Sequence, residues 1–116
     1  MGKIGQRCRS EIHCNYYQTP RWFCYVWLQA STYNIVDATP FKRDIIKELA
    51  DACRKKNMKL GFYYSQAQDW HHRGGAISGG KEWDEAQVGD MNKYIDSIAV
   101  PQVKEILENY GDVAVL

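Results

Sequence analysis

Covalent, metal-assisted or acid–base chemistry in this chain would fall to four cysteines, three histidines and fourteen carboxylates spread over 116 residues. The cysteines stand at positions 8, 14, 24 and 53, without a C-x-x-C pair, and His13 stands alone beside Cys14. Zinc needs nitrogen or sulfur ligands at closely defined spacings, so no metal site is expected, nor any cofactor. Four cysteines can close two disulfides. Met1–Ser10 is basic with no apolar core after it, however, so no export signal is read and free thiols are expected. His71 and His72, followed by Arg73-Gly74-Gly75, read as loop residues.

A chain that is 45% apolar and 25% charged suits one small domain or a piece of a larger one. Its uncharged stretches are interrupted by Asn, Gln, Ser and Thr and supply no run of roughly 20 apolar residues, so no membrane span is expected. With a formal charge of +1 and a pI near 7.7, the chain lacks the clustered basic charge of a nucleic-acid or membrane-surface binder. The average conceals two parts. Residues 1–30 hold four basic residues against one acidic and three of the four cysteines, whereas 31–116 hold eleven basic against thirteen acidic. A boundary is read at Ala30–Ser31.

Beyond Ser31 the punctuation predicts a helix over 40–56. Thr39 suits an N-cap, Pro40 the first helical position, and Phe41, Ile45, Ile46, Leu49, Ala50 and Cys53 recur at helical spacing. Arg54, Lys55 and Lys56 favour the negative end of the helix dipole, and Asn57 suits a left-handed stop. Met58–Ser65 reads as a buried parallel strand, with Leu60, Phe62 and Tyr64 on one face and Gly61, Tyr63 and Ser65 on the other. The Gly-rich stretch Gln66–Lys81 is a long loop, of the kind that carries function. A second helix is predicted over 86–109, kinked at Pro101 and ended by Gly111, before a second buried strand at Asp112–Leu116. Helix, strand, helix, strand with a long strand-to-helix loop is a parallel α/β array, in which the loops after the strands build the site. Two strands cannot close a barrel and leave one sheet face bare. The expected fold class is therefore α/β, a helix-strand-helix-strand slice of a larger domain with parallel strands.

The segments Ser31–Asp44 (STYNIVDATPFKRD), Lys47–Lys55 (KELADACRK), Gly61–Trp70 (GFYYSQAQDW) and Gly89–Leu116 closely resemble the catalytic domain of the α-L-fucosidases of glycoside hydrolase family 29. The resemblance makes 31–116 a partial catalytic barrel domain, a slice of a (β/α)8-like barrel. It implies a hydrolase that removes terminal α-linked L-fucose from glycans with retention of configuration, using an Asp nucleophile and a separate general acid/base. Retention requires two carboxyl groups roughly 5–5.5 Å apart. By resemblance the nucleophile lies in a Trp-x-Asp segment directly after the strand that ends here at Val115-Leu116, and the acid/base comes later, so no catalytic residue is expected in this chain. Asp69, Glu82, Asp84, Glu85 and Asp112 match no catalytic position and read as solvated loop or helix-end charges.

Two side chains are substrate-binding candidates, of which one carries over from the family. Tyr63, the first Tyr of Gly-x-Tyr-Tyr-Ser, matches a tyrosine that lines the fucose subsite of the family. Its face would point into the barrel, where a phenol packs on a sugar and bonds a hydroxyl, or else fills the barrel core. Trp70, beyond the strand, either stacks on a sugar or packs the loop down. The implied partner is a fucosylated glycan, the complete relatives being periplasmic, secreted or lysosomal, with the compartment of this chain left open. The alternative in a different class is a non-catalytic carbohydrate-binding or interaction module derived from the same fold.

Where the family shows a strand ending in Lys-His-His-Asp-Gly-Phe, this chain shows Cys14-Asn15-Tyr16-Tyr17-Gln18-Thr19-Pro20-Arg21-Trp22-Phe23. These residues can be encoded by TGT AAT TAC TAC CAA ACA CCA CGA TGG TTT. Read one base later, that string gives Val-Ile-Thr-Thr-Lys-His-His-Asp-Gly. Residues 1–30 are accordingly expected to be an out-of-frame segment, in which Cys8, Cys14, Cys24 and the surplus tryptophans have no selected role. A divergent N-terminus is the alternative.

Overall fold

The computed structural model describes residues 23–64, 67–76 and 84–116. In chain order these form helix α1 (Ile45–Lys55), strand β1 (Leu60–Gly61), a 3-10 turn (Glu85–Gln87), helix α2 (Met91–Tyr94), a π segment (Ile95–Ala99), helix α3 (Val100–Asn109) and strand β2 (Val113–Val115). The helix-strand-helix-strand order holds, and β1 pairs with β2 in parallel.

Helix α1 begins five residues later than the predicted helix. Thr39 and Pro40 belong instead to a turn, in which the Thr39 hydroxyl donates to the Ile35 carbonyl and accepts from the Phe41 amide. Lys42 then takes a positive φ of 54°, which no helix can pass through. The chain is capped afresh by Asp44, whose carboxylate accepts from the Lys47 amide at 2.9 Å. Ile46, Ala50 and Cys53 form the buried stripe, while Phe41 and Leu49 are exposed. The helix ends as expected, with Asn57 left-handed at φ 53°.

The second helix starts at Met91, not at 86, under an Asp90 cap that accepts from the Asn92 amide. Its expected kink takes the form of the π segment just ahead of Pro101. Proline has no N–H to give the preceding turn and its ring crowds that turn's carbonyl, so the ladder widens there. Gly111, at φ 83°, follows its end.

Both strands are shorter than predicted. The ladder is irregular between Leu60 and Gly61, which pair with Val113 and Val115, and Phe62 extends it through one bond from its amide to the Val115 carbonyl. Strand β2 is also less buried than expected, since Val113 is half-covered and Val115 and Leu116 are exposed. No described element covers their outer side.

The core lies between the Leu60/Phe62 face of β1 and the helices, with Ile46, Ala50, Cys53, Ile106 and Tyr110. It also takes in Cys24, Val26 and Leu28, which alternate with exposed Tyr25 and Trp27. Glu105 of α3 fastens this segment by accepting from the amides of Gln29 and Ala30, and the Tyr110 hydroxyl reaches both the Trp27 carbonyl (3.1 Å) and the Asp44 carboxylate (2.8 Å). Such packing tests the apolar alternation of 23–28 and not its reading frame. Residues 1–22, with Cys8 and Cys14, lie outside the described residues. Cys24 and Cys53 are both buried.

Three phenols tie the helices to the rest. Tyr64 donates to Gln102 of α3 at 2.8 Å, Tyr94 of α2 donates to Asp69 at 3.0 Å, and Tyr110 bridges as above. Burial, and then the charge of Asp69, raise Tyr64 to about 12 and push Tyr94 well above the ordinary phenol range. Burial and the hydrogen bond to Asp44 do the same for Tyr110. Unfolding returns each to about 10. The folded state therefore holds these protons more tightly, and their stabilising contribution is full below about pH 10 and lost as pH rises above it. We expect an alkaline unfolding transition in which ionisation of these three phenols coincides with loss of helical ellipticity. Reversible titration of all eight tyrosines near the ordinary value, with the helices intact, would contradict this.

Candidate functional site

The sheet delivers its side chains to two sides. Leu60 and Phe62 are buried and Tyr64 is half-buried toward the helices, whereas Tyr63 between them is 55% exposed on the other side. This is the alternation expected of the strand. Ser65 lies outside the described residues. In parallel α/β folds the carboxyl ends of the strands and the loops that leave them are where ligands bind. Tyr63 stands at such an end, just past β1.

The loop that follows is ordered around one carboxylate. Asp69 is fully buried at 0% exposure, which overturns the expectation of a solvated charge. Its Oδ1 accepts from the amides of His71 (3.0 Å) and His72 (3.1 Å), and its Oδ2 meets the Tyr94 hydroxyl (3.0 Å) and His72 Nδ1 (2.9 Å). Four donors thus fill the sites of a carboxylate that water cannot reach, the condition under which burial of such a group is tolerated. The backbone closes the same turn, with the Asp69 amide donating to the Gly75 carbonyl and the Gly75 amide to that of His72. A side chain at position 75 would collide at 2.8–2.9 Å with Asp69 and the Tyr94 ring. At Gly74 a side chain would meet the Asp90 backbone at 2.7 Å, and φ is +75°.

The 3-10 turn supplies the outer support. Gln87 donates its side-chain amide to the Trp70 carbonyl and its own carbonyl accepts from the Gly74 amide, while Arg73 Nε donates to the Val88 carbonyl. Asp84 caps that turn and is exposed, as are Glu85 and Asp112, so these three are the solvated or helix-end charges expected. Glu82 lies outside the described residues.

Trp70 is half-buried on this clamp, directly beside Asp69. His72 is part of the clamp itself. His71 is exposed, its ring stacked on Tyr33 at 4.9 Å with 20° between planes and set edge-on to His72 at 4.8 Å. Tyr33 meets Phe23 edge-on at 5.4 Å, and Phe23 meets Tyr25 in the same way. The structure therefore joins Tyr64, Tyr94, Asp69 and the histidines into one cluster that begins next to Tyr63. Sequence reasoning missed Asp69 and Tyr33. An aspartate two and three residues ahead of amides in a Gly-rich turn is the spacing of a side-chain-to-backbone cap, and that signal was available. The pairing of Tyr33 with His71 is long-range and left no local signal.

Among the described residues no group of three His, Cys, Asp or Glu side chains is placed to hold a metal ion. Nor is any described helix long and apolar enough to cross a membrane.

The comparisons agree with the motifs. The α-L-fucosidase family model matches residues 23–116. No curated protein matches the chain. Among solved structures, the chain is similar to α-L-fucosidase AlfC from Lactobacillus casei in complex with α-L-fucose, at 38% identity and a TM-score of 0.70, over 84% of this chain and 34% of AlfC. An AlfC variant in complex with Fucα(1,6)GlcNAc matches equally well. An α-L-fucosidase from Vibrio sp. strain EJY3 follows at 33% identity and a TM-score of 0.68, over 84% of this chain and 17% of the other. The chain thus spans about a third or less of these relatives, and within that span it belongs to the α-L-fucosidase family.

Proposed function

We propose that this chain carries one wall of the fucose site of a retaining α-L-fucosidase and lacks the two carboxyl groups that perform the hydrolysis. The observation that carries the reading is Tyr63. In a strand whose neighbours Gly61 and Phe62 are buried, this phenol alone stands 55% exposed at the carboxyl end, on the side away from the helices. It occupies the position that, by resemblance, lines the fucose ring. An exposed phenol there offers a flat face to the sugar C–H groups and a hydroxyl that both donates and accepts. Trp70, on the clamped loop after the strand, is the second binding residue.

In this reading the two parallel strands and their helices are a slice of a (β/α)8-like barrel, and the bare Tyr63 face of the sheet is the barrel's inner surface. Asp69, the most buried carboxylate of the described residues, is consumed by four hydrogen bonds and is unsuited to attack an anomeric carbon. Acid and nucleophile would come from carboxylates placed roughly 5–5.5 Å apart, and no such pair is proposed within this chain. The expected outcome is that the 116-residue chain releases no nitrophenol from 4-nitrophenyl α-L-fucoside above a buffer blank, while L-fucose shifts the ring resonances of Tyr63. Tyr63→Phe should weaken fucose binding by about tenfold, the loss of one hydrogen bond of roughly 1–1.5 kcal/mol. Turnover by the chain, or fucose binding indifferent to Tyr63, would contradict the reading.

Residues 1–30 are proposed to be read one base out of frame, which would remove the His-His-Asp-Gly-Phe segment that contributes an imidazole pair to the family's fucose site. Support comes from the run of family-like residues in the shifted frame, which the family match, beginning at Phe23, leaves untouched only over residues 1–22. The nucleotide sequence decides it: codons for Thr19, Pro20 and Arg21 that do not yield two histidine codons when shifted by one base would end the proposal.

A further inference from the structure

We propose that the stacked Tyr33–His71 pair is a platform for a second sugar ring, the one to which fucose is linked; this rests on the fucose reading of Tyr63. The stack has the physical properties of a carbohydrate platform. His71 is exposed, yet it is immobilised by three contacts: its amide on Asp69 Oδ1 at 3.0 Å, its ring face on Tyr33 at 4.9 Å, and its edge against His72 at 4.8 Å. An exposed ring that is already fixed gives up little conformational freedom when a ligand covers it, so its contact area is converted into affinity with little loss. Tyr33 is backed in turn by the edge of Phe23, which fixes the second ring from a different segment of the chain.

The location fits a ring next to fucose. Tyr63 stands just past β1, and His71 lies on the loop that leaves the same carboxyl end. Asp69 acts here as a positioning residue, because it holds His71 and touches no sugar. The chemical class expected is a pyranose with an extended face of axial C–H bonds, such as an N-acetylglucosamine, which packs on flat aromatic surface.

The test uses the full chain and three probes: L-fucose, N-acetylglucosamine and the disaccharide Fucα(1,6)GlcNAc, with the ring signals of His71 and Tyr63 followed separately by NMR. The disaccharide should shift His71 and Tyr63 together, fucose only Tyr63, and the disaccharide should bind about fivefold more tightly than fucose. His71→Ala should erase that advantage and leave fucose affinity unchanged. A disaccharide that leaves the His71 signal unmoved, or an advantage that survives His71→Ala, overturns the platform while the fucose reading stands. A His71 shift with no shift at Tyr63 overturns the fucose reading and, with it, the assignment of the ring on His71 as the one linked to fucose.

Discussion

A carboxylate removed from water is the constraint around which the functional face is arranged. Asp69 has no exposed surface, and burying such a group without partners costs far more than any single contact returns. The surrounding chain is therefore obliged to converge on it: two amides from the turn, an imidazole from the same turn and a phenol from α2. Three partners come from the turn itself and one from a helix, and together with a bridge between Gln68 and Ala76 they fix a loop that has no helix among its described residues. Gly74 and Gly75 are part of the same solution, since the turn passes so close to Asp69, Tyr94 and the Asp90 backbone that no side chain fits.

The rest of the fold is a frame for this loop. Helices α1 and α3 bury one face of the short parallel sheet, and Tyr64 and Tyr110 bind that frame laterally through Gln102, Asp44 and Trp27. The other face of the sheet is left to Tyr63 and Val115, large apolar side chains that stand exposed. The packing is thus on the helix side, and the exposed side is the one proposed to meet the sugar. Relatives two-thirds or more of whose length lies outside the match have the additional chain with which to cover and complete that side.

Much of this was legible along the chain, and what was not has identifiable causes. The α1 stripe, its left-handed stop at Asn57, the alternation that separates Tyr63 from Phe62 and the parallel order of the strands are local or periodic properties. Periodicity and caps report them directly. The helix start was misplaced because Thr39 and Pro40 are equally good turn residues, and the Ile35 carbonyl and Phe41 amide claim the Thr39 oxygen before a helix can. Asp69 was read as solvated because acidic residues in Gly-rich loops ordinarily are. Its burial depends on Tyr94, twenty-five residues away, which no local pattern couples to it. Strand β2 reads as buried from its composition, but burial is a property of neighbours, and none among the described residues lies over Val115.

Amide hydrogen exchange in the native chain and in Asp69→Ala addresses the central claim, that one buried carboxylate holds the loop beside Tyr63. The account predicts that the His71 and His72 amides, protected in the native chain, exchange freely in the variant while the amides of α1 around Ala50 and Cys53 keep their protection. Unchanged exchange at His71 and His72, or a loss spread equally over α1, would contradict it.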